Sequence, residues 1–165
     1  ASRTTFAPKK DYEQFMGLVA HEFFHVWNVK RMRPKGVWSF DYERENYTEL
    51  LWVAEGFTAY YDDLICRRAD VLGVDRYLEI VGENIQNAWR TPGRILHPLA
   101  AASYDAWIKL YRPDENTRNS TQSYYANGGL AAMCIDLAIR DATARSDVPV
   151  DLRIRFPRAS VMDAM

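Results

Sequence analysis

The sequence predicts a mainly α-helical domain with a metal centre held between two helices. Three observations carry that expectation. The residues His21-Glu22-Phe23-Phe24-His25 spell H-E-x-x-H inside a stretch of helical character. One carboxylate, Glu55, interrupts the apolar run Leu50-Leu51-Trp52-Val53-Ala54-Glu55-Gly56-Phe57-Thr58-Ala59-Tyr60-Tyr61, which has the length of a helix rather than a strand. Elsewhere, stretches of helical length are separated by breaks such as Thr91-Pro92-Gly93.

The first helix is expected over residues 11–29. Positions i and i+4 lie one turn apart on one face, so imidazoles at 21 and 25 can hold one zinc ion together. Glu22, beside the first histidine, is within reach of a water on that metal, as a general base must be. The chain has three histidines and two of them lie in this pentapeptide, which argues against a chance pair on a surface helix. Its flanks (Leu18, Val19, Ala20, Phe23, Phe24, Val26, Trp27) are apolar, so the helix is expected to be buried. Buried histidines need partners.

Residues 32–46 contain Pro34, Gly36 and several aromatics, and are read as a short hairpin or an ordered loop near the site. The basic cluster Lys30, Arg31 and Arg33 is expected to pair with Asp41, Glu43 and Glu45 rather than to bind a substrate carboxylate. A second site helix is expected over residues 47–69, with Thr48 as its N-cap. A peptidase zinc takes three protein ligands and leaves its fourth position to water. Glu55 is the candidate third ligand, since a lone carboxylate in an apolar run is costly unless it is paired or metal-bound. The alternative is a buried salt bridge from Glu55 to Arg31 or Arg33. His97, in a loop before Pro98, can also ligate, but nothing around it recommends it. Asp62 follows Glu55 by two helical turns on the same face, and suits a role orienting a ligand histidine through its free ring N–H. Asp62 and Asp63 equally suit a solvated face.

A third helix is expected over residues 75–89, capped by Asp75 after Gly73, and a shorter one over residues 99–111. Residues 112–120 read as loop. The last long helix starts at Thr121 or Ser123 and runs to about Ala144. Leu152, Ile154 and Phe156 alternate with Arg153 and Arg155, the pattern of an edge strand over residues 151–156.

At 165 residues the chain is one domain, long enough to bury a real core, and its aromatic richness argues against disorder. A formal net charge of −1 leaves no overall electrostatic footprint for nucleic acid. No apolar run reaches membrane-spanning length, and no signal peptide is recognisable. Cys66 and Cys134 form no Cys-x-x-Cys pair and are expected to be buried thiols.

The run from His21 through Val26-Trp27-Asn28-Val29-Lys30-Arg31-Met32-Arg33-Pro34 resembles the signature of the glycyl aminopeptidases. These are zinc metallopeptidases of the gluzincin group, usually with a PDZ domain after the catalytic domain. The resemblance continues in Phe40–Glu45, Leu51–Tyr61, Ser123–Gly128 and Ile135–Arg140, in the family's order. It implies one zinc ion held by His21, His25 and Glu55, with Glu22 as catalytic base. It also implies the helical half of a gluzincin, thermolysin-like catalytic domain. Related aminopeptidases place an oxyanion-stabilising tyrosine in a pattern like Tyr-x-Lys-Gly. Tyr125-Ala126-Asn127-Gly128 is similar, which points to Tyr125, with Tyr124 as its neighbouring alternative; Asn127 stands where the family usually has lysine. The family's Gly-Gly-Leu-Glu-His motif ahead of the zinc helix is not found here. On this resemblance residues 1–165 are expected to be a fragment of the metallopeptidase catalytic domain, without the preceding sheet-bearing part or the following PDZ domain.

The function expected first is a zinc aminopeptidase that removes small N-terminal residues, glycine or alanine, from peptide substrates, weak or inactive as this fragment. An endopeptidase using the same site and a non-catalytic helical scaffold are the alternatives.

Overall fold

The structure, a computed structural model, describes residues 8–34, 37 and 40–144. Among these residues it is mainly helical and has no strand; Asn28 and Met32 make an isolated bridge. The strand expected over residues 151–156 lies outside the described residues. Two compact units are distinguished, residues 1–134 and residues 135–165. Every candidate site residue belongs to the first. In the described part of the second, Arg140 Nε lies 2.8 Å from Asp136 Oδ2, one turn apart on a helix.

Helix α1 is Lys9–Phe24. Pro8 precedes it in extended backbone, a place where its missing N–H costs nothing, and Asp11 in the first turn favours the positive end of the helix dipole. The helix stops at Phe24, short of the expected residue 29. After His25 two amides tighten to the third residue back, from Val26 to the Phe23 carbonyl at 3.1 Å and from Trp27 to that of Phe24 at 3.0 Å, and the Asn28 amide shares the Phe24 carbonyl at 3.1 Å. This early exit frees Asn28 to bond elsewhere.

Thr48 Oγ1 accepts the Leu50 N–H at 3.2 Å, so the predicted cap residue does cap a turn, although the helix proper begins after it. Trp52–Gly56 then winds as a π-helical segment, which leads into α2, Phe57–Arg68. Helix α3 is Val74–Trp89; Gly73, not Asp75, is at its N-cap, and Asp75 lies in the first turn. A 3₁₀ turn follows at Pro92–Ile95. Helix α4 is only Leu99–Tyr104, because Asp105 turns the chain and its carbonyl accepts the Ile108 and Lys109 amides in a series of turns. The expected loop at 112–120 contains a single helical turn, α5, Thr117–Ser120. Helix α6 is Ala126–Ala144, the last of the described residues; Ser123 Oγ accepts the Ala126 N–H at 3.3 Å, so this serine marks its start.

Helix α1 packs along α2, and α2 also meets α3. Ala20 of α1 joins Cys66 and Leu72 in one buried cluster, walled by Met16, Ile65, Val71 and Ile80. Burying a leucine as fully as Leu72 contributes about 1.5–3 kcal/mol. Phe24 stacks on Tyr61 at 4.7 Å between ring centroids, closing the same seam near the site. A second cluster of Ala102, Ala106 and Tyr124 is packed by Leu51, Trp52, Leu99, Leu110 and Tyr125. Glu13, buried on α1, lies 3.2 Å from Arg76 Nε on α3.

Two burial expectations are corrected. Helix α1 is not buried: Leu18 is 57% and Phe23 59% exposed, because its neighbours among the described residues cover one side only. Cys66 is buried but Cys134 is exposed. No described helix is long and apolar enough to cross a membrane.

Candidate metal centre

His21 lies in the last turn of α1 and His25 is its C-cap. Both are therefore near the negative end of the helix dipole, which favours a cation. Glu55 comes from the π-helical segment that faces them. Its Oε2 is 3.2 Å from His21 Nε2 and 3.2 Å from His25 Nε2. One ligand atom from each of the three residues lies within 4.8 Å of the others. Ligands around a tetrahedral zinc with arms of about 2.0–2.2 Å stand roughly 3.4 Å apart, so this donor set fits the ion. The alternative partners for Glu55, Arg31 and Arg33, are not what it meets: it meets the two histidines.

Both imidazoles are turned so that Nε2 faces inward. His21 Nδ1 is 3.0 Å from Asp62 Oδ2, and the carboxylate accepts the ring proton. His25 Nδ1 is 2.8 Å from the carbonyl oxygen of Asn28, which can only accept. When neutral, each ring with its proton on Nδ1 leaves its Nε2 lone pair for a metal. The Asp62 and Glu55 carboxylates hold the His21 pKa up at about 9, first through hydrogen bonds and then through charge. A site that draws a proton so firmly is short of positive charge. Burial pushes the Asp62 carboxyl above the ordinary carboxylate range, and the His21 contact offsets only part of that rise.

Asn28 is the residue that sequence reasoning missed. It is buried, and its Nδ2 donates to the Val53 carbonyl at 3.0 Å, the Ala54 carbonyl at 2.8 Å and Thr58 Oγ1 at 3.1 Å. The exit from α1 is thereby tied to the segment that carries Glu55. The only signal in the sequence was its place inside the block that follows the second histidine. Val29, beside it, has φ of 127°, a strained value for a β-branched residue.

Glu22 is exposed and opens on a groove of about 700 Å³ that also touches His21, Asp62 and Tyr125 and extends along α3 to Arg76 and Glu83. The Tyr125 ring centroid is 6.4 Å from that of His21, and Glu55 acts on its phenol by charge. Tyr124 is 2% exposed in the second core cluster. Of the two tyrosines, Tyr125 is the one that faces the triad. Burial, the main cause, pushes both phenols above the ordinary range. The backbone brings this block close: a Cβ on Gly56 would lie 2.5 Å from the carbonyl carbon of Gly128, so the π-helical segment touches the start of α6 directly.

His97 does not join the triad. It is buried, its Nε2 is 3.5 Å from Asp105 Oδ2, and its carbonyl accepts from Gln122. The expected pairing of the 30–33 cluster with Asp41 is also replaced. Arg44 Nε binds Asp41 at 2.5 Å, Asn46 bridges Asp41 on both sides, and Arg33 Nε donates to the Val29 carbonyl at 3.0 Å.

The family model of the M61 glycyl aminopeptidases matches residues 14–131. A crystal structure of an aminopeptidase N family protein from Idiomarina loihiensis superposes with a TM-score of 0.80 and is 34% identical, over 90% of this chain and 25% of that one. The chain thus spans about a quarter of the length of that structure. None of the curated proteins matches. A match that takes in both histidines, Glu22, Glu55, Asp62 and Tyr125 covers most of the sequence, and the chain belongs to the M61 glycyl aminopeptidase family.

Proposed function

We propose that the chain carries the chemical centre of a zinc aminopeptidase that releases small N-terminal residues, glycine or alanine, from peptides. The observation that supports it most is the convergence of His21, His25 and Glu55 around one point, with Glu22 open to the adjoining groove. In this reading the two Nε2 atoms and one Glu55 oxygen hold the ion. Asp62 and the Asn28 carbonyl fix the tautomers that make this possible. Zinc, when bound, supplies a Lewis acid that polarises the scissile carbonyl and acidifies a water. Glu22 takes the proton of the attacking water and passes it to the leaving amine. Tyr125 donates its phenol proton to the oxygen on which negative charge develops. The greater length of the similar solved structure supports reading residues 1–165 as part of the catalytic domain of a longer enzyme.

The test is Glu22→Gln in the natural full-length protein. The variant should retain one zinc per chain, because Glu22 is not a ligand, and should lose most hydrolysis of glycyl and alanyl substrates, because an amide accepts no proton. Turnover equal to the parent's would remove Glu22 as base. Cleavage of N-acetylated peptides as fast as free ones would move the reading to an endopeptidase.

A further inference from the structure

Tyr125 does not meet the triad alone. Its hydroxyl oxygen is 3.3 Å from that of Tyr111, and the Tyr111 oxygen is 3.1 Å from that of Tyr124. Tyr124 and Tyr125 are stacked with ring centroids 4.6 Å apart. Tyr111 reaches them from the turns after α4, where its amide and that of Leu110 both bond the Ala106 carbonyl, and its ring lies 5.2 Å from that of Trp107. The early end of α4 at Tyr104 is what places Tyr111 there, since these turns replace the helix expected as far as 111.

Burial restricts the proton order in this trio, in which Tyr124 has both Tyr111 and Tyr125 within hydrogen-bonding reach. A hydroxyl has one proton to give and two lone pairs to accept with. Tyr124 is cut off from water, so its proton has to go to a neighbouring oxygen. If Tyr111 accepts it, the Tyr111 proton is free for the Tyr125 oxygen, and Tyr125 keeps its own for an acceptor outside the trio. Each bond in such a chain polarises the next and makes the terminal phenol a better donor. The opposite order would spend the Tyr125 proton on Tyr111 and leave no donor facing the triad.

We propose that Tyr111 is a positioning residue for the peptidase reaction: its hydroxyl, bridging Tyr124 and Tyr125, directs the Tyr125 proton toward the space over His21, His25 and Glu55. This rests on the role given to Tyr125 above. No substrate contact by Tyr111 is involved; it acts through Tyr125.

A double-mutant cycle in the zinc-loaded, full-length protein tests it, with kcat and KM measured separately on a glycyl substrate, and zinc content and Tm followed in parallel. Tyr111→Phe should lower kcat by roughly threefold to tenfold, the worth of one hydrogen bond, with KM changed less than about twofold. The double variant Tyr111→Phe/Tyr125→Phe should be no slower than Tyr125→Phe, because a residue that acts only through Tyr125 has nothing left to act on. Unchanged kcat in Tyr111→Phe, or losses that multiply in the double variant, would overturn the inference while leaving Tyr125 in its role. A drop in zinc content or Tm with a raised KM would make Tyr111 merely structural, and would overturn it too. Full activity in Tyr125→Phe would remove the role of Tyr125 and this inference with it.

Discussion

His21 and His25 are oriented by different kinds of partner, a carboxylate for one and a main-chain carbonyl for the other. Only the first can be removed by substitution. Asp62→Ala should weaken zinc binding by roughly 10–100-fold, the usual cost of losing such an orienting partner, as read by competition with a chelator. Asp62→Asn should lose less, because its amide oxygen can still accept the ring proton. An unchanged Kd in Asp62→Ala would contradict the role given to Asp62. The His21 proton adds a pH signature. The folded pKa is about 9 against an ordinary 6.5, so in metal-free protein the stabilising contribution is fully present below pH 6.5 and is lost as pH rises through about 9. Metal must displace that proton, so zinc affinity should instead rise over the same window. Metal-free Tm measured from pH 6.5 to 9 should therefore fall while the zinc Kd tightens. A zinc Kd independent of pH across this window would contradict the account.

At the scale of elements, the π-helical segment decides the geometry. It sets Glu55 opposite the two histidines and offers the Val53 and Ala54 carbonyls to Asn28. It also lets Gly56 touch Gly128, three residues beyond Tyr125, where a Cβ on Gly56 would lie 2.5 Å from a backbone carbon. Gly56→Ala must push the two elements apart, at a cost of about 1–3 kcal/mol for overpacking. It should lower both Tm and zinc affinity; a neutral Gly56→Ala would show that the contact is not needed. The sequence made the two site helices legible, because H-E-x-x-H and the lone Glu55 each carry a strong chemical demand. It did not reveal the π-helical winding, the early exit of α1 at Phe24 or the role of Asn28. Those depend on hydrogen bonds between segments some 25 to 30 residues apart, which no local pattern encodes. The end of α4 was misplaced for a related reason: Leu99–Tyr111 has helical composition, but Asp105 turns the chain.

At the scale of the molecule, the core among the described residues is made of two small clusters, and much of the apolar face of α1 is exposed. With so little burial around the site, a metal shared by α1 and the π-helical segment should contribute visibly to stability. Free zinc at 100 times its Kd adds about 2.7 kcal/mol by mass action, enough to raise Tm by several degrees in a chain of this size. Calorimetry with and without a chelator reads this directly, and His25→Ala should abolish the difference. The central claim is that His21, His25 and Glu55 form one metal site, and its most direct measurement is anomalous diffraction at the zinc edge from crystals grown with zinc. A single strong peak is expected, with His21 Nε2, His25 Nε2 and a Glu55 oxygen each about 2.0–2.2 Å away. A peak elsewhere, or zinc bound by the two histidines with Glu55 turned to solvent, would contradict it.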